Sequence, residues 1–72
     1  MWPIGSLLRV NSTCNLYNVP IIHRENVDGM FGQGDVFVCL GYTSDGDVKM
    51  TNVMTRDGTF GWIAANRLIL CV

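Results

Sequence analysis

Side chains able to do covalent or metal chemistry are few in this chain and far apart. His23 is the only histidine, and Cys14, Cys39 and Cys71 are the only cysteines. Cysteine catalysis needs a thiolate within hydrogen-bond reach of an imidazole that a third group orients. Cys39 and Cys71 lie in apolar, strand-like runs, and an apolar setting raises a thiol's pKa and quiets it. Cys14 is then the one candidate reactive thiol. A zinc site needs several His or Cys ligands at close spacing. One histidine and three dispersed cysteines do not supply that, so His23 is expected in a solvated loop. Gly32-Gln33-Gly34 is too short to cradle a phosphate, and no helix pattern follows it, so it reads as a turn. Catalytic residues, a metal site and a cofactor are all unexpected, and the chain is read as a non-enzyme.

What remains is apolar chemistry. The chain has 72 residues, 49% of them hydrophobic and only 15% charged, with a mean hydropathy of +0.26. An average soluble domain carries roughly 25% charged residues. No apolar run exceeds five residues, against the ~18–20 needed to cross a bilayer. The surplus of apolar side chains therefore points to a binding surface rather than a membrane span. Five Lys and Arg against six Asp and Glu give a net charge of −1. The basic residues Arg9, Arg24, Lys49, Arg56 and Arg67 are scattered, whereas nucleic-acid binding calls for a basic stripe. The acidic residues look no more clustered along the sequence.

Three cysteines with no C-x-x-C spacing do not make a disulfide framework. They read as small buried hydrophobes in a reducing compartment. Residues 1–9 lack the basic and apolar regions of a signal peptide. A cytoplasmic location is expected, in which the sequon Asn11-Ser12-Thr13 would be inert.

The elements that position these side chains are short and β-like. Asp28-Gly29, Asp45-Gly46 and Asp57-Gly58 are turn signals. Strands are expected at 7–10, in a short run at 29–34, and at 35–40, 48–55, 60–63 and 69–72. A long loop is expected over 11–27, a hairpin tip over 42–47 and one 3-10 turn near residues 64–67. In the strongest strand, Val36, Val38 and Leu40 are expected to face the core, and Phe37 and Cys39 the other side. Trp2 is expected to pack over the fold. At this size a small, strongly bent barrel is easier to fill than two sheets.

Two segments resemble the bacterial SH3 (SH3b) domain family. Gly32-Gln33-Gly34-Asp35-Val36-Phe37-Val38-Cys39-Leu40-Gly41 is similar to its "G-d-x-v-x-v-l" strand. Residues 53–68, with Asp57-Gly58, Gly61-Trp62-Ile63 and Leu68, resemble its closing signature. Asn15-Leu16-Tyr17-Asn18-Val19-Pro20 is a looser match to its opening motif. The resemblance implies a single SH3-like all-β barrel over 1–72, built from five to six short, strongly bent antiparallel strands. It also implies peptidoglycan recognition, which stands as the alternative function. A nucleic-acid-binding small barrel is the second alternative.

The leading expectation is a stand-alone protein–protein interaction module. If Val53 and Ile63 face inward, alternation turns Met54, Phe60 and Trp62 outward, beside Phe37. Tyr17, Phe37, Met54, Phe60 and Trp62 are thus the expected ligand-binding set. The other outcome for these residues is a second minor core, covered by the segment around Trp2 and the loop with Tyr17. The expected partner is a protein or peptide, with a homodimer through the same surface or through edge strands as the companion reading. A lone barrel of this size would suit a phage or mobile-element accessory protein.

Overall fold

The computed structural model describes residues 2–71. Seven strands are present: β1 (Leu7–Val10), β2 (Cys14–Tyr17), β3 (Val27–Phe31), β4 (Val36–Asp45), β5 (Val48–Met54), β6 (Phe60–Ala64) and β7 (Leu68–Leu70). Short 3-10 turns span Arg24–Asn26 and Ala65–Arg67. All pairings are antiparallel, in the order β3-β2-β6-β5-β4-β1-β7. No ladder joins β3 to β7 among the described residues, so the expected barrel does not close. The result is one open seven-stranded sheet, with more strands than the expected five to six.

One face of this sheet still wraps a single core. Leu8 and Val10 of β1, Cys14 and Leu16 of β2, Phe37 and Cys39 of β4, Val53, Ile63 and Leu68 form one buried cluster. Full burial of each large apolar side chain stabilises by about 1.5–3 kcal/mol. Phe31 of edge strand β3 meets Phe37 edge-on, with ring centroids 5.0 Å apart. Trp2 packs against the same cluster and lies 6.5 Å from Tyr42. The Tyr42 hydroxyl donates to the Trp2 carbonyl at 2.6 Å, tying the N-terminal segment to β4.

The facing of β4 is the reverse of the sequence expectation. Phe37 and Cys39 are buried, and Val36 is 43% exposed. Either parity would bury apolar side chains, so alternation alone could not choose. The larger Phe37 ring takes the inside, where Phe31 is its partner. A bulge at Leu40, between the pairs Cys39↔Val53 and Gly41↔Asn52, also breaks the Val36-Val38-Leu40 alternation.

Two turn expectations differ as well. Asp28-Gly29 lies inside β3, where Gly29 pairs with Leu16 and the register shifts before Tyr17. Asp45-Gly46 does form a tip, but β4 runs on to Asp45 and only Gly46-Asp47 make the turn. Gly46 has φ +58°, at the first central position where a type II′ hairpin requires it. The expected loop over 11–27 contains β2 and the 3-10 turn at 24–26. The last expected strand ends at Leu70, and Val72 lies outside the described residues. The described residues contain no helix long and apolar enough to cross a membrane.

Candidate functional site

The outer face of the sheet carries an apolar row. Leu7 pairs with Val38, Val38 with Met54, and Met54 with Phe60. These four residues are successive cross-strand neighbours on β1, β4, β5 and β6. Neighbouring strands lie about 4.8 Å apart, so the row is roughly 15 Å long. Each residue alternates with a buried one: Leu8, Phe37, Val53 and Gly61 point inward. Leu7 at one end is 51% exposed and Phe60 at the other 61%, with Val38 and Met54 half-buried between them. Val36, paired with Arg9, flanks the row.

Local sequence explains why β6 can present Phe60 outward. A Cβ on Gly61 would sit 2.5 Å from Leu16 Cδ1 and 2.6 Å from its Cγ. Only a glycine lets β6 come this close to the buried Leu16. The β5–β6 turn is fixed by polar bonds. The Thr55 hydroxyl donates to the Asp57 carboxylate, and the Thr59 N–H donates to Thr55 Oγ1 at 3.1 Å. Hydrogen bonds from Thr55, then Thr59, hold the Asp57 carboxyl below its usual value.

One cavity adjoins the row, and a second lies next to that cavity. One, of about 450 Å³, is lined by Leu7, Val36, Val38 and Met54 together with Phe31 and Phe37. The other, of about 490 Å³, lies on the far side of Phe31, against Leu16, Asp28 and Asp57. Both include Phe31, Thr55 and Arg56 in their walls. They are therefore adjacent, and together make up a groove past Phe31.

The expected ligand-binding set is divided by the fold. Met54 and Phe60 are direct neighbours on the outer face. Trp62 lies two residues further along β6, half-buried and paired with Asn52 and Tyr17. Tyr17 is buried. It lines a separate cavity of about 400 Å³ with Ile22, Val48 and Ala64. The Ile22 N–H donates to Asp45 Oδ2 at 2.8 Å, pinning the 18–26 loop to the β4–β5 tip. Tyr17 and Trp62 thus belong partly to a covered outer core under this loop. Phe37 lies on the inner face and leaves the set. Leu7, Val36 and Val38 were missed, because placing Phe37 outward places Val36 and Val38 inward.

Cys14 and Cys39 have the setting of core residues, whereas Cys71, expected to be buried, is half-buried outside the core cluster. All three are free. Burial, helped by the nearby Asp35 carboxylate, pushes the Cys14 thiol up to about 11. At neutral pH it is overwhelmingly the protonated, weakly nucleophilic form. Burial and a hydrogen bond with Cys39 push Tyr42 up to about 12. His23 is exposed, and its Nδ1 accepts from the Glu25 N–H at 3.2 Å. Among the described residues, no three His, Cys, Asp or Glu side chains are grouped as metal ligands. The chemistry that this arrangement offers is apolar contact, edged by a few carboxylates.

Comparison of the chain with family models, curated proteins and solved structures returns no match.

Proposed function

We propose that the protein is a non-enzymatic binding module that docks another protein chain on the row Leu7, Val38, Met54 and Phe60. The observation that carries this reading is the row itself. It holds four contiguous apolar side chains and no charge, and both of its ends are more than half exposed. Soluble monomers seldom leave such patches open unless they are used. Aromatic residues and Met are enriched at protein interfaces. The absence of a basic stripe in the sequence argues against nucleic acid.

The architecture in this reading is SH3-like, with the sheet left open between β3 and β7. Its support is the Asp57-Gly58 hairpin, the close approach at Gly61 and the 3-10 turn before β7. The peptidoglycan alternative rests on the SH3b resemblance of residues 15–20, 32–41 and 53–68, in which Trp62 is half-buried beside Tyr17.

Peptide-display selection on the wild type and on a Leu7→Ser/Phe60→Ser double variant tests the reading. Peptides that bind the wild type and lose the double variant support it, as does self-association in sedimentation equilibrium that the double variant abolishes. A selection yielding no peptide, together with a strict monomer, ends it. Retention on purified peptidoglycan that both proteins share would transfer the function away from the row.

A further inference from the structure

We propose that the groove running from the outer row past Phe31 takes a cationic apolar peptide segment of a partner protein. This inference rests on the docking reading above and adds the chemistry of the partner. The floor of the groove is apolar, with Val36, Met54 and Phe31 along its length. Its rim is acidic. Asp35 lies on the first cavity, Asp28 and Asp57 on the second, and Arg56 between them.

Three of the chain's six acidic residues therefore line this groove, with Arg56 in its wall and Arg9 paired with Val36 beside it. The fold creates this cluster, since the three carboxylates are spread over 30 residues of sequence. All three are exposed, and among the described residues the one side-chain contact of salt-bridge length is His23 with Glu25, at 3.9 Å. None of the three carboxylates is thus held in a salt bridge with Arg9 or Arg56. Asp57, held low by Thr55 and Thr59, keeps its charge across the neutral range. Carboxylates spaced within a Debye length add their fields at an incoming cation. An anionic peptide, a nucleic acid or an anionic lipid surface would be repelled by the same rim. Apolar side chains filling the floor while Lys or Arg meets the rim satisfies both parts of the groove.

The test uses fluorescence anisotropy on the full chain with three short labelled peptides. In these, Leu alternates with Lys, with Gln or with Glu. The Leu/Lys peptide is expected to bind about tenfold more tightly than Leu/Gln, with Leu/Glu weaker still. Asp28→Lys is expected to weaken Leu/Lys binding about tenfold, and added salt to weaken it further. Arg56→Glu is expected to tighten it by about threefold, a gain that misfolding does not mimic. Asp47→Lys makes the same charge change at the β4–β5 turn, away from the groove, and should leave affinity unchanged.

Equal binding of the three peptides overturns the inference. So does indifference to both Asp28→Lys and Arg56→Glu, or an Asp47→Lys effect as large as that of Asp28→Lys. If none of the three binds while row-dependent peptides from display selection do, the cationic partner is wrong and the docking reading survives. If no peptide of any kind binds and the chain is a strict monomer, both fall.

Discussion

Phe37 and Phe60 stand on opposite faces of one sheet. Phe37 is 2% exposed, in edge-on contact with Phe31 and surrounded by the central cluster. Phe60 is 61% exposed and ends a row of apolar neighbours open to water. The strands that carry them show the same division, with Cys39 and Ile63 fully buried and Val36 open. The inner face is needed for the fold. On the outer face Tyr17 and Met50 are also buried, but the apolar row from Leu7 to Phe60 has no such duty. Its apolar character is the part of the composition that folding does not explain.

The most severe test of this division is to truncate one ring on each face. Phe37→Ala should destabilise by about 3–5 kcal/mol in urea denaturation. Phe60→Ser should stay within about 0.5 kcal/mol of the wild type. Similar losses at both sites would erase the distinction between the faces.

A sharper probe sits where the faces are linked through β6. Gly61→Ala should cost about 1–3 kcal/mol, because the new methyl meets Leu16 at 2.5 Å. In a Leu16→Ala background much of that added cost should disappear, since the colliding atoms are gone. Additive losses in that double-mutant cycle would place the strain elsewhere.

Thiol labelling tests how completely the inner face excludes reagent. Under native conditions near neutral pH, the half-buried Cys71 should react first. Cys14, buried and pushed up to about 11, should react only on the timescale of local opening. Labelling of Cys14 as fast as that of an unfolded control would show an inner face that is not closed.

The smallest effect belongs to the turn at the rim. The Asp57 carboxyl lies below its ordinary value of 3.8, so its contribution is present above that value and lost as pH falls through the lower folded value. Thermal denaturation should show Asp57→Asn slightly less stable than the wild type at about pH 6, with the gap narrowing by about pH 2. A gap constant with pH would mean that the charge of Asp57 contributes nothing to the turn.

Much of the fold could be read from residues 48–68. Val53 follows Asn52, Ile63 precedes Ala64, and Asp57-Gly58 marks the turn. Those cues predict β5, β6 and the 3-10 turn that follows, and their facing once Val53 and Ile63 are taken as inward. Around Phe37 the sequence is apolar on both parities, and the bulge at Leu40 leaves no local mark. An error of one residue there removed Val36 and Val38 from the predicted site and put Phe37 into it. β2 carries little strand signal, because Cys14-Asn15-Leu16-Tyr17 holds one Asn and no β-branched residue. Met54 and Phe60 were legible because they follow from Val53 and Ile63. The acidic rim was not, since Asp28, Asp35 and Asp57 come to adjacent cavities only where Phe31 of β3 packs on Phe37 of β4 across the core.

The strand order also constrains the route by which the chain acquires its structure. Only β2–β3, β4–β5 and β5–β6 are joined to their immediate successors. β1 pairs with β4 and β7, and β2 needs β6. The β4–β5–β6 meander is therefore the one three-stranded unit that local search can assemble. The first strand made must wait for the last before both its edges are filled. Such non-local closure puts the loop entropy ahead of its reward and slows folding. Until β7 arrives, β1 stands as an open edge beside Leu7, with apolar surface exposed on a chain that has little charge to keep it apart from its neighbours.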